Sequence, residues 1–121
     1  MRIIAGKFKG ITLYAPTDKK IRPLKDIVRE SIFNLLTHSK KILLQLKQSN
    51  VLDLYAGTGS FGLECLSRQA KSVCFVEKAK DVGKILKKNI EKLKVKKNVD
   101  IFFDDVLVVI KKKIFLNQNL I

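Results

Sequence analysis

A glycine-rich turn and the acidic residues around it are the part of this sequence equipped for chemistry. The short apolar run Val51-Leu52-Asp53-Leu54-Tyr55 passes directly into Ala56-Gly57-Thr58-Gly59-Ser60-Phe61-Gly62. Glycines at 57 and 59 permit a tight turn without a Cβ, so a ligand can reach the backbone N–H groups where a helix begins. Gly62 lets that helix pack closely on the strand. Gly57, Gly59 and Gly62 fit G-x-G-x-x-G, and Glu77 follows Gly57 by 20 residues, as a dinucleotide site requires. S-adenosylmethionine competes for the same turn, and Asp53 separates the two ligands by charge. A carboxylate beside the glycines repels a pyrophosphate but attracts a sulfonium and an ammonium, while the helix N-terminus faces the donor's own carboxylate. Glu77 is placed to accept from both ribose hydroxyls, and Asp105, or Asp104 in its stead, from an adenine amine. The competing role for all these acids is helix capping.

Such a site needs strands that end together, and the pattern from Asn50 onward supplies them. Strand-like runs at Val51–Tyr55, Ser72–Val76 and Val99–Phe103 alternate with helical stretches at Ser60–Arg68, Ala79–Leu93 and Val106–Lys113. This βαβαβα order predicts an α/β fold with a parallel sheet whose ligands bind beyond the strands' carboxyl ends. Ahead of it, Arg2–Ala5 and Ile11–Tyr14 flank Gly6-Lys7-Phe8-Lys9-Gly10, which predicts a basic hairpin. Ala15–Pro23 reads as an extended linker whose Pro23 opens a helix. In that helix Val28, Ile32, Leu35 and Leu36 form the expected apolar stripe, with Lys25, Asp26, Arg29 and Glu30 opposite. His38, near its end, has no acid or nucleophile beside it and reads as a surface residue.

The chain has 121 residues, 46% of them hydrophobic and 30% charged, which suits a single small globular unit. Its longest aliphatic run is Val106–Ile110, far short of the roughly 18 residues of a membrane span, and the N-terminus carries no legible secretory signal. A cytoplasmic location is expected. Cys65 and Cys74 lack neighbours at metal-ligand spacing and read as reduced core thiols. The net charge of +14 points to a polyanionic partner. Most of the cations are lysine in an isoleucine-rich chain, so their distribution is more telling than their number. Residues 1–49 carry +8, 50–77 carry −1, 78–97 carry +7 and 98–121 balance at zero. The N-terminal block reads as nucleic-acid contact, and the second basic block as the solvated face of a helix.

Several local motifs together carry a resemblance: Arg2-Ile3-Ile4-Ala5-Gly6-Lys7, Arg22-Pro23, Val28-Arg29-Glu30, Phe33-Asn34, Leu52-Asp53-Leu54-Tyr55-Ala56-Gly57-Thr58-Gly59, Leu63-Glu64 and Leu66-Ser67-Arg68. The chain resembles the bacterial 16S ribosomal RNA guanine-N2 methyltransferase family that acts on guanine 966. The N-terminal block is more specific to that family than the glycine turn, which many methyltransferases share. The resemblance implies a Rossmann-like class I fold that uses S-adenosyl-L-methionine to methylate the exocyclic amine of a guanine in 16S rRNA of the 30S subunit. It also implies division into a basic RNA-binding extension, residues 1–49, and the N-terminal half of the methyltransferase domain, residues 50–121. Asp53, Tyr55, Ala56, Gly57, Thr58, Gly59, Glu77 and Asp105 are then the cofactor candidates. Arg2, Lys7, Lys9, Arg22 and Arg29 are the RNA phosphate candidates, acting through charge rather than base reading.

Two departures accompany the resemblance. Leu24 stands where Thr or Ser commonly follows the Arg-Pro pair, removing a helix cap worth about 1 kcal/mol. The family's Asp/Asn-Pro-Pro-aromatic tetrapeptide, which holds and stacks on the guanine, has no counterpart, since no proline follows Pro23. No catalytic residue is therefore identifiable. The sequence reads as truncated at the opening of a fourth strand, so that the first strand lacks a neighbour and a complementing C-terminal polypeptide becomes a candidate partner. Two other functions compete: a non-catalytic RNA- or cofactor-binding remnant, and, further off, a nicotinamide-dependent oxidoreductase.

Overall fold

The computed structural model describes residues 1–17, 26–38 and 46–116. Helix α1 (Asp26–His38) is followed by β1 (Asn50–Asp53), α2 (Ser60–Ser67), β2 (Ser72–Val76), α3 (Lys80–Leu93), β3 (Val99–Phe102) and α4 (Val106–Leu116). The strands form one parallel sheet in the order β1-β2-β3, with Val51 opposite Val73 and Phe75 opposite Ile101. The expected alternation is thus present, although β1 and β3 end two and one residues earlier than the apolar runs suggest. Val73, Phe75 and Val76 are buried in the central strand. Close packing over β2 depends on Gly62, because a Cβ there would lie 2.3 Å from the Phe75 ring. Helix α3 turns Val82, Leu86, Ile90 and Leu93 inward. Its lysines 84, 87, 88 and 92 face solvent, as a solvated helix face requires. Cys65 is buried and Cys74 partly so, both as free thiols, and His38 is exposed. No helix among the described residues is long and apolar enough to cross a membrane.

The N-terminal segment pairs with itself and then joins the same core. Arg2 bridges Thr12 in antiparallel fashion, and the Ile3 and Leu13 N–H groups donate to the carbonyls of Ile11 and Met1 at 2.9 and 2.8 Å. Ile3 and Leu13 are buried in one cluster with Leu63, Val73 and Leu86. What fixes this segment to the α/β layer is polar. The fully buried Glu64 accepts the N–H groups of Ile4 and Ala5 at 2.8 and 3.1 Å and the Arg68 Nε–H at 2.9 Å. Ser67 adds a second set of ties: its Oγ accepts from the Phe8 N–H and donates to the Ala5 carbonyl, and its carbonyl accepts from the Lys7 N–H. Gly6 has to be glycine beside it, since its φ is +86° and a Cβ would meet the Ser67 carbonyl oxygen at 2.0 Å.

Helix α1 corrects the sequence expectation. The anticipated stripe placed Val28 and Leu35 inside, yet they are 42% and 60% exposed, whereas Arg29 and Phe33 are fully buried. Two interactions invisible in the helical period turn the helix this way. The Arg29 guanidinium donates to the Arg2 carbonyl, and Phe33 stacks on Phe61 at 5.0 Å with the Arg68 guanidinium 4.4 Å from its centroid. Aromatic stacking and a charge-assisted bond to a carbonyl outweigh burial of one valine and one leucine.

The Glu64 clamp makes a quantitative prediction. Glu64→Ala leaves two backbone donors and a guanidinium without their acceptor, so unfolding in urea should show a loss of about 3 kcal/mol or more. Glu30→Ala, on the exposed side of α1, should stay within about 0.5 kcal/mol.

Candidate functional site

The carboxyl ends of all three strands deliver the acids that the sequence singles out. Past β1 the chain turns through Gly57 and Gly59, with φ of +58° and +90°, conformations that cost glycine little. A Cβ at Gly57 would meet nothing within 4 Å, so the backbone there is open to a ligand, whereas one at Gly59 would lie 2.5 Å from Leu86. Glu77, just after β2, holds the turn in place. One carboxylate oxygen accepts the Gly57 N–H at 2.9 Å and the other the Ala79 N–H at 2.8 Å. Ala56 is tied to the sheet by its N–H to the Val76 carbonyl at 3.1 Å. Ala56 and Thr58 are buried, while Tyr55 is 82% exposed at the rim.

Asp53 ends β1 behind this turn. Burial pushes its carboxyl up to about 6, the Gly62 N–H opposes the shift by hydrogen bonding to it, and the nearby charge of Glu77 adds to it. Its Oδ2 is buried and has no hydrogen-bond partner among the described residues. Such a carboxylate costs stability as the free protein stands, a feature of sites shaped for a ligand rather than for folding. A cationic group placed beside it would remove that cost. The Gly57 and Gly59 N–H groups are already taken, by Glu77 and by the Ala56 carbonyl at 2.9 Å each, so the fit to S-adenosylmethionine rests on an orphan buried oxygen for positive charge, open space over Gly57 and an acid at the second strand end. This set does not suit a pyrophosphate.

At the third strand end the capping role is occupied. The Asp105 Oδ1 accepts the Leu107 N–H at 2.8 Å in the first turn of α4, and its Oδ2 lies 3.8 Å from the Lys78 ammonium. Asp104 is exposed and accepts the Asp105 N–H at 2.8 Å. Both acids therefore lie at the rim, with Asp105 also starting the helix.

The basic candidates divide. Arg2, Lys7 and Lys9 are exposed on the hairpin, and Arg22 lies outside the described residues. Arg29 needs correction as a phosphate contact, because its side chain is fully buried and spent on the Arg2 carbonyl. Asn89 is a residue that no sequence motif singled out. Buried on α3, it donates to the carbonyls of Thr58 and Tyr14 at 2.9 and 3.1 Å and accepts the Tyr14 N–H at 2.7 Å, joining the glycine turn to the end of the hairpin. Its signal was legible: a polar residue on the apolar stripe Val82, Leu86, Leu93. Among the described residues no cluster of His, Cys, Asp or Glu could hold a metal.

An open parallel sheet with a glycine turn and three strand-end acids defines a Rossmann-like methyltransferase fold, and solved structures agree. A putative methyltransferase from Escherichia coli superposes with a TM-score of 0.75 at 31% identity, over 90% of this chain and 55% of that one. A hypothetical protein of Thermus thermophilus gives 0.79 at 25% identity, over 96% and 62%. The chain belongs to the family described as conserved hypothetical protein 95, whose model matches residues 1–119. Within it, the ribosomal RNA small subunit methyltransferase D of Haemophilus influenzae is 45% identical over 94 residues, 78% of this chain and 46% of that protein. The chain spans about half the length of the curated relatives it matches.

The raised Asp53 carboxyl sets a pH dependence. Its folded value, about 6, lies above the ordinary 3.8, so the native state binds the proton more tightly and this group's contribution to stability is lost as pH rises between those values. The stability of Asp53→Asn relative to the parent should therefore rise across that interval, by roughly 3 kcal/mol in all at pH 7.5, with no difference in slope above pH 7. Denaturant unfolding of both proteins across pH measures it.

Proposed function

We propose that this chain binds S-adenosylmethionine at the Gly57–Gly59 turn and serves the methylation of the N2 amine of a guanine in 16S rRNA of the small ribosomal subunit. The observation that carries the proposal is the buried, half-partnered Asp53 carboxylate beside an open glycine backbone. The bound cofactor would supply an electrophilic methyl group on a sulfonium. Asp53 stabilises the donor's positive charge, the open space over Gly57 lets the donor approach the turn, and Glu77 holds the turn while retaining lone pairs for ribose hydroxyls. Asp105 or Asp104 meets the adenine amine. The exposed Arg2, Lys7 and Lys9, with Arg22, take RNA phosphates.

No side chain among the described residues orients the guanine amine for attack, and the family's tetrapeptide has no counterpart in the sequence. Methyl transfer therefore requires groups that the described residues do not supply. The second reading is binding of cofactor and RNA without turnover, favoured by the lack, among the described residues, of a group that orients the guanine amine. A nicotinamide oxidoreductase is disfavoured by the charge of Asp53.

Calorimetric titration with S-adenosylmethionine should give saturable binding that Asp53→Asn weakens at least tenfold, and NADH should give none. Binding of NADH in place of the methyl donor overturns the proposal. Methylation of 30S particles by the chain alone would exclude the binding-only function, whereas methylation only after addition of a polypeptide bearing Asp/Asn-Pro-Pro-aromatic establishes complementation. For RNA, Lys7→Ala with Lys9→Ala should weaken retention and reduce the slope of log affinity against log salt by roughly 1.4, the value for two phosphate contacts on single strands. An unchanged slope removes the hairpin tip from the interface.

A further inference from the structure

Tyr14 stands out because its side chain is exposed while its backbone is held. Alternation along the extended segment turns Leu13 into the core and Tyr14 outward, leaving the tyrosine 51% exposed. Its backbone is nevertheless held on both sides by one side chain: Asn89 accepts the Tyr14 N–H and donates to the Tyr14 carbonyl. The same Asn89 amide donates to the Thr58 carbonyl inside the glycine turn, so the backbone that carries the ring is anchored to the candidate cofactor site. Lys92 completes the feature. Its ammonium lies 5.0 Å from the Tyr14 ring centroid and bonds the Thr12 carbonyl. Lys88, one helical turn earlier, is also exposed, as is Glu91 between them in the sequence.

An exposed aromatic ring on an anchored backbone, with an ammonium beside it, on a chain of net charge +14, matches what single-stranded nucleic-acid sites use: a π-face for an unstacked base and a cation for the adjoining phosphate. An acidic peptide would use the lysines but would have no need of the ring. We infer that Tyr14 and Lys92 form a docking site for one unpaired nucleotide of an RNA, the base stacking on Tyr14 and the phosphate meeting Lys92. The inference rests on the proposal that the substrate is RNA, and adds to it the contact that presents a single-stranded segment beside the methyl-donor site.

The protein offers its own reporter, since it has no tryptophan and its two tyrosines are Tyr14 and Tyr55. In Tyr55→Phe, tyrosine emission comes from residue 14 alone. A single-stranded oligoribonucleotide, with its binding followed independently by anisotropy of an attached dye, should quench that emission. Tyr14→Phe should keep the affinity, and Tyr14→Ala should lose about tenfold, within the range measured for base–aromatic stacking. Tyr14→Ala should also lose the preference for single-stranded over duplex RNA, because a paired base is not free to stack. The Asn89 bonds run to the backbone of residue 14, so alanine retains them and the variant's thermal midpoint should stay near that of the parent. Binding without quenching, equal affinity of Tyr14→Ala, or equal quenching by oligoglutamate each overturns the assignment while leaving the RNA proposal standing. Failure of the parent chain to bind the oligoribonucleotide at low salt overturns both.

Discussion

The buried Glu64 carboxylate is the constraint on which the arrangement of this molecule depends. It is a charge removed from water, and it is tolerable only because two N–H groups of the N-terminal segment and one guanidinium converge on it. That requirement joins residues separated by about sixty positions in the chain and fixes the hairpin against α2. Ser67 and Gly6 refine the same junction, one by exchanging hydrogen bonds in both directions and the other by having no side chain. Arg29 and Phe33 bring α1 onto it from the other side. Residues that carry the family resemblance, Arg29 and the segment Leu63–Arg68 among them, thus serve largely as the joint that carries the basic hairpin.

The site behind the glycine turn follows the opposite logic. Glu77 is satisfied by Gly57 and Ala79 and shapes the turn before any ligand arrives, whereas Asp53 remains short of partners and is raised toward neutrality by burial. One acid supplies preorganisation and the other holds an unspent attraction for positive charge. The cost of Asp53 is borne by the packing around it, including the close approach of Gly62 to Phe75.

Beside β1, on the side away from β2, the described residues supply no strand. Among the described residues β1 pairs with β2 alone, Leu52 is exposed, and an apolar cavity of about 210 Å³ lined by Leu36, Leu46, Val51, Phe61 and Cys65 runs along it. An edge strand with apolar side chains and unpaired backbone groups is a ready template for another strand. The same edge adjoins the glycine turn, so whatever covers it also borders that turn.

Sequence alone determined the strand–helix alternation, because apolar runs bounded by turn residues have few other ways to bury themselves, and it determined the glycine turn and the strand-end acids, because those functions need particular residue types at fixed spacing. Much of the resemblance was legible for the same reason. Tertiary structure alone decided which face of α1 is buried. The period of Val28, Ile32 and Leu35 describes a generic apolar contact, but the actual partners were the Arg2 carbonyl and the Phe61 ring, about thirty positions away in each direction. It likewise decided that Arg29 is a core residue, that Asn89 links hairpin to turn, and that Asp53 is poorly partnered. Hydrogen-bond satisfaction and desolvation belong to groups brought together from distant parts of the chain, and no local pattern encodes which groups those will be.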